Sequence, residues 1–211
     1  MNPRGPQENP WLAISASDYE EHMSSFSVQQ LPYLSRVFRE VLSEVRPTSI
    51  AVLGCATGNG FEHIPRDTRR VLGIDINAEY LGVLRGRFAS ALPGMQLMCT
   101  DITTCDLDSA SLELVHVALV LEYVDSARVL DRLGGWLCAG GTLSVVLQIP
   151  SETRSPISDT EYLSLRALES IMRPIAPWQL EELAARAGFV KRRARVDTLV
   201  TGRQFYVGLF A

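Results

Sequence analysis

From residue 50 onward the chain alternates between short apolar runs and longer segments whose apolar residues recur at helical spacing. That alternation leaves few architectures open. Ile50–Leu53, Val71–Ile74, Gln96–Cys99, Leu114–Ala118 and Thr142–Leu147 have the length and composition of buried strands, with helical patterns near 60–66, 78–90 and 126–137 between them. Strands joined through helices pair in parallel, with right-handed crossovers. Trp178–Ala187 reads as a further helix, with Leu180, Leu183 and Ala184 on one face and Gly188 as its stop. Val190–Val196 and Gln204–Phe210, joined by a turn near Gly202, lie close enough in sequence to pair antiparallel.

The N-terminal part lacks this alternation. Residues 1–10 read as a loose tail, and Trp11–Met23 as a short helix with Asp18, Glu20 and Glu21 toward water. From Val28 an amphipathic helix, capped by Ser27, runs to the residues before Pro47. A second segment without strands, Pro150–Pro177, is long for a strand-to-helix connection and is expected to hold a helix over Asp159–Met172.

With 211 residues, 46% apolar and 21% charged, the chain fits one large domain with a sizeable core. Net charge is −4, and the one dense basic patch, Lys191 to Arg193 with Arg195, lies in a strand-like context, so no nucleic-acid partner is expected. The apolar stretch around Leu114–Leu121 is far short of a membrane span, and the polar start with Pro3, Pro6 and Pro10 carries no export pattern. Cys55, Cys99, Cys105 and Cys138 show no C-x-x-C spacing, which fits buried thiols in a reducing compartment. A cytoplasmic protein without a metal site or membrane contact is expected.

The first strand runs into a turn of small residues, "IAVLGCATGNGFEH" at 50–63. In a doubly wound sheet such a turn lets a nucleotide-like ligand approach the backbone. A dinucleotide fingerprint, G-x-G-x-x-G, fails in both frames: Gly54, Ala56, Asn59 and Gly58, Gly60, His63. The Gly-Lys-Ser/Thr of a P-loop is absent as well. The stretch instead resembles motif I of the class I S-adenosylmethionine-dependent methyltransferases. Asp75, ending "VLGIDIN" about 20 residues beyond Gly54, stands where a Rossmann-like site holds ribose hydroxyls. The resemblance implies that Asp101 accepts the adenine amino group, that Ile102 offers its backbone N–H and that Ile76 packs on the adenine face. "LELVHVALVLEYV", "LGGWLCAGGTLSVVL" and "WQLEELAARAGF" resemble the fourth strand, the helix and fifth strand, and the helix before the sixth strand of that family.

The resemblance covers 48–211. It implies an α/β fold of Rossmann-like kind: a doubly wound seven-stranded sheet, mostly parallel with an antiparallel last strand, and helices on both faces. Residues 1–47 would form an N-terminal helical cover, and 48–211 the cofactor-binding methyltransferase domain with a lid insertion at 150–177. The implied cofactor is S-adenosyl-L-methionine, held by Gly54, Cys55, Ala56, Gly58, Gly60, Asp75, Ile76, Asp101 and Ile102. Two positions depart from the pattern. Val52 stands where the family often has an acid near the methionine amino group, and Ala56 where it usually has a second glycine, a methyl that fits only if the backbone there avoids positive φ.

Such a cofactor brings its own electrophile, so the protein must mainly align a nucleophile; a base is needed only for a protonated acceptor. The catalytic candidates are His22 as that base, with Tyr123 and Glu122 after the fourth strand as acceptor contacts or an ordinary helix-entry pair. His116 reads as a core histidine, and His63 as either a surface residue or a neighbour of the cofactor's methionine end. Tyr162, Leu165 and Leu168 read as packing first and substrate contact second. The two strand-free segments are expected to close over the acceptor, with Tyr19, His22, Tyr123 and Gln148 facing it. The expected function is methyl transfer to a small-molecule acceptor by in-line displacement. The alternative is an S-adenosylmethionine-binding regulatory protein without turnover, and the glycine spacing disfavours a nucleotide-dependent oxidoreductase.

Overall fold

Ser49–Leu53 forms β1, and all five of its residues are buried. Such a strand needs a neighbour on each edge and a helix layer on each face. The computed structural model, which describes residues 9–158 and 160–211, supplies both. β2 (Arg70–Asp75) and β4 (Leu112–Ala118) flank β1 in parallel, pairing Ile50 with Val71 and with Leu114. β3 (Met95–Cys99), β5 (Leu137–Gln148), β6 (Lys191–Thr198) and β7 (Gln204–Phe210) complete a seven-stranded sheet in the order β3-β2-β1-β4-β5-β7-β6. Only β7 runs against the rest, pairing antiparallel with both β5 and β6.

Strand alternation divides the core in two. Ala51 and Leu53 of β1 join a cluster with Val129, Leu130 and Leu133 of α4 (Ser126–Trp136) and Leu180 and Ala184 of α6 (Pro177–Arg186). Ile50 and Val52 face Val37, Phe38 and Val41 of α2 (Gln30–Val45) and Leu81 and Leu84 of α3 (Ala78–Phe88). α2 thus packs on the sheet as part of its layer, while residues 9–24 lie over the strand ends.

Several elements differ from expectation. The segment expected as one helix over Trp11–Met23 is a 3-10 turn, Pro10–Ala13, followed by α1 (Ala16–Ser24). Ile14 between them is extended, and Ser15 restarts the helix by accepting the Asp18 N–H at 3.1 Å. Glu20 does not simply face water: it pairs with Arg87 of α3, whose Nη2 donates to Oε2 at 2.9 Å, and accepts the Thr57 hydroxyl. α2 starts at Gln30, and Gln29 in the left-handed region (φ 53°), not Ser27, precedes it without a side-chain cap.

The helix expected over 60–66 is one 3-10 turn, Phe61–His63, because Gly60 at φ 86° precedes it and Pro65 cannot extend it. In 150–177 the helical content is α5 (Leu163–Arg166) and a 3-10 turn, Ala167–Ser170; the expectations for Asp159 and for residues 1–8 lie outside the described residues. β5 begins earlier than Thr142 because its first residues pair with β4 across a bulge. Gly140 takes φ 79° there, and a Cβ on Gly141 would lie 2.9 Å from the Cys138 carbonyl oxygen.

Candidate active site

The strand order reverses between β1 and β4, and a doubly wound sheet binds ligands outside the C-terminal ends of the strands at that point. A cavity of about 240 Å³ lies there.

Its floor is backbone-built. After β1, Gly54, Ala56, Gly58 and Gly60 all take positive φ, at 63°, 44°, 91° and 86°. The small residues are therefore required mostly by conformation and by the protein's own packing. A Cβ on Gly58 would meet Leu84 at 2.9 Å, one on Gly60 would meet Phe38 at 2.9 Å, and one on Gly54 would meet Val120 at 2.3 Å. Gly54 and Ala56 line the cavity, whereas Cys55, Gly58 and Gly60 do not. Cys55 is buried, and a Cβ on Gly73 of β2 would lie 3.1 Å from its Sγ. Ala56 takes the positive φ that its methyl disfavours, at a cost of about 1 kcal/mol. It is held there by donating its N–H to Asp75 Oδ2 at 2.9 Å.

Asp75, at the end of β2, also accepts the Asn77 N–H on Oδ1 at 2.9 Å. Burial pushes its carboxyl pKa up, against these hydrogen bonds, which lower it. The carboxylate lines the cavity, and a carboxylate accepts on both oxygens, which suits a hydroxyl donor. Asp101, beyond β3, uses Oδ1 for the N–H and hydroxyl of Thr103, both at 2.7 Å, and lines the cavity together with Ile76 and Ile102.

Side chains from distant segments form the roof. Trp11, Tyr19 and His22 come from the N-terminal turn and α1, Ile157, Leu165, Leu168 and Met172 from 150–177, and Tyr123 and Gln148 from the ends of β4 and β5. Trp11 meets Tyr123 edge to face at 5.1 Å, and Tyr19 meets Tyr80 of α3 at 5.3 Å. The roof is fastened to α3 by Ala16 N–H to Glu79 Oε1 and Asn77 Nδ2 to the Trp11 carbonyl, both 2.9 Å. Its two halves join through the Tyr162 hydroxyl, which donates to Glu21 Oε2 at 2.6 Å.

His22 is 6% exposed, and burial followed by the Arg203 charge lowers its pKa, leaving a neutral imidazole at neutral pH. Glu122, expected beside the acceptor, lies behind the cavity wall, fully buried. Its Oε1 accepts the Gln148 N–H at 2.9 Å and its carbonyl accepts the Arg173 N–H at 2.7 Å, so it clasps both ends of the 150–177 excursion. Burial raises its pKa to about 7. His116 stacks on Phe38 at 4.5 Å and shares a hydrogen bond with Ser144 Oγ at 3.0 Å, as a core histidine should. His63 bonds Ser35 Oγ at 2.9 Å and stands off the cavity.

Trp11, Gln30, Tyr80 and Met172 line the cavity without having been singled out from sequence. Tyr80 carried a signal, one turn after Asp75–Ile76 on the helix that Asn77 caps. Trp11 and Met172 lie in the two segments expected to close over the site without being named as its residues, and Gln30, on a helix of the sheet's own layer, carried no signal. Among the described residues no group of His, Cys, Asp and Glu is placed to hold a metal ion, and no helix is long and apolar enough to cross a membrane.

Residues 51–145 match a family model described as a methyltransferase domain. Uncharacterized methyltransferases of Mycobacterium tuberculosis and Mycobacterium bovis are 32% identical over 104 residues, covering 49% of this chain and 52% of theirs. The chain spans about half the length of the curated relatives it matches. An S-adenosylmethionine-dependent methyltransferase from Mesorhizobium loti superposes with TM-score 0.66 at 19% identity, over 83% of this chain and 95% of that one. The cyclase SpnF superposes with TM-score 0.68 at 14% identity, over 83% and 79%. At these identities the likeness is one of fold.

Proposed function

We propose, from the premise that this chain carries a methyltransferase domain of the class I S-adenosylmethionine-dependent superfamily, that it transfers a methyl group from that cofactor to a small molecule by in-line displacement. One observation carries the reading: a buried carboxylate, Asp75, and a second acid, Asp101, line one cavity with the glycine turn at the switch point of the sheet. These acceptors fit the cofactor, because Asp75 presents a carboxylate to the cavity for ribose hydroxyls and Asp101, whose Oδ1 serves Thr103, keeps Oδ2 for an amino group. Gly54, Ala56, Ile76 and Ile102 would complete the binding surface, and Cys55, Gly58 and Gly60 would support it from behind.

When bound by Asp75, Asp101 and the glycine turn, the cofactor would supply an electrophilic methyl on a positively charged sulfur. The chain's own part is alignment, exclusion of water and proton removal. Neutral His22 takes the proton of a hydroxyl acceptor. Tyr123 and Gln148 position the acceptor, while Glu122 acts through Gln148. The roof of Trp11, Tyr19, Leu165 and Leu168 excludes water and favours an acceptor small enough to be enclosed.

No nucleic-acid partner is proposed, because Lys191, Arg193 and Arg195 are paired with Glu181, Glu44 and Glu40. A cytoplasmic location is proposed from four free cysteines, of which Cys55 and Cys105 are buried. Incubating the purified protein with methyl-labelled cofactor and a small-metabolite extract tests the function. Label is expected in a small molecule, and transfer should be lost in Asp75→Ala. Cofactor binding with no transfer would favour the regulatory alternative. Absence of binding would overturn both.

A further inference from the structure

We infer that the acceptor is an uncharged, largely apolar molecule that presents a hydroxylated aromatic ring to His22; this inference rests on the methyltransferase reading. Among the described residues, the only carboxylates or cationic side chains other than His22 that line the cavity are Asp75 and Asp101, both on the strand ends at the cofactor side. The remaining wall is built from the rings of Trp11, Tyr19 and Tyr123 and from apolar side chains such as Met23, Leu168 and Met172. A carboxylate or phosphate carried into that half would lose its hydration with no cationic side chain among the described residues lining the wall to contact it, since the Arg203 charge acts only from outside the cavity. Its amides offer little in exchange. Gln30 Nε2 donates to Gln148 Oε1 at 3.2 Å, and Gln148 Nε2 donates to the Pro156 carbonyl at 2.8 Å.

Geometry favours a ring in particular. Trp11 stands edge-on to Tyr123 at 5.1 Å and to Tyr19 at 6.3 Å, so the wall offers both faces and edges, the arrangement in which flat rings pack best. His22 is the one titratable base among these groups, and it can accept a proton that a hydroxyl must lose as oxygen attacks carbon. Arg203 does not line the cavity. Its guanidinium donates to the Pro156 carbonyl at 3.1 Å, and its charge reaches His22 and Tyr123 from outside, where it favours negative charge growing on an attacking oxygen.

Three phenols of similar size whose para substituents are neutral, anionic and cationic test the inference: para-ethylphenol, para-hydroxyphenylacetate and tyramine. Calorimetry first establishes that S-adenosylhomocysteine binds, and the saturated protein is then titrated with each phenol. Saturable binding of para-ethylphenol is expected, tighter than either charged phenol by about tenfold or more. Equal or tighter binding of a charged phenol would overturn the inference, and so would failure of para-ethylphenol to bind protein that holds S-adenosylhomocysteine; in either case the methyltransferase reading would stand. If S-adenosylhomocysteine itself does not bind, both fall. In His22→Gln, unchanged para-ethylphenol affinity with loss of methyl transfer to it is expected, and unchanged transfer would remove His22 as the group that receives the hydroxyl proton.

Discussion

The two halves of the cavity are made in different ways. The floor comes from consecutive strand ends, where the glycine turn and the carboxylates of Asp75 and Asp101 follow directly from β1, β2 and β3. The roof comes from residues 11–23 and from Ile157, Leu165, Leu168 and Met172, segments that fold back across the strand ends and are joined by apolar packing of Ile14 and Tyr19 with Leu165 and Leu168 and by the Tyr162 to Glu21 hydrogen bond. A local hydrogen-bond frame fixes the first, whereas apolar side-chain packing makes the second. Packing of that kind can change without disturbing the frame beneath it.

That contrast can be broken at its strongest point first. If His22 is the proton acceptor, His22→Gln should lower turnover of a hydroxyl acceptor by roughly 100-fold or more while the dissociation constant of S-adenosylhomocysteine stays unchanged. A parallel loss of cofactor affinity would mean that the halves are not separable. Asp75→Ala should weaken S-adenosylmethionine binding by about 1.5–3 kcal/mol, measured by calorimetry on protein shown to be folded. It also removes the acceptor for the Ala56 N–H, so the glycine turn should exchange its amide hydrogens faster while residues 11–23 keep their protection.

A smaller effect is expected from Gly54→Ala, which forces a Cβ against Val120 at a positive φ. Destabilisation of about 1–2 kcal/mol should appear in chemical denaturation. Normal stability would show that the turn can relax.

Glu122 bears on the roof alone. Its carboxyl is raised to about 7 in the folded protein, so its contribution to stability is full below the ordinary carboxyl range and is lost as pH rises through about 7. The melting temperature should therefore fall by a few degrees between mildly acidic and mildly alkaline pH, and Glu122→Gln should flatten that fall. A wild-type slope that survives in Glu122→Gln would assign it to another group. Ala56→Gly should have the smallest effect, within about 1 kcal/mol of wild type, because relief of positive-φ strain offsets the greater freedom of glycine in the unfolded chain.

Much of the frame was legible in the sequence because its determinants are local. Apolar runs of strand length, a glycine-rich turn and an acid at each of the next two strand ends already order β1, β2 and β3 and place Gly54, Asp75 and Asp101 together. Ala56 was legible as a departure, but its φ of 44° was not, since that depends on the bond to a carboxylate 19 residues away. The boundaries that differed lie where special backbone states override periodicity. Gln29 at positive φ starts α2 late, and Gly60 with Pro65 reduces an expected helix to one turn.

The sequence by itself determined the sheet, its turn and the acids at its switch point, because period, spacing and turn chemistry act within a few residues of where they are written. Only the tertiary structure decided that Gln30 of α2 shares one wall with Trp11 and Met172, that Glu122 sits behind that wall and that Gly58 and Gly60 make room for Leu84 and Phe38 rather than for a ligand. These are contacts between segments far apart along the chain, set by which apolar faces remain uncovered once the sheet has formed, and no local pattern encodes them.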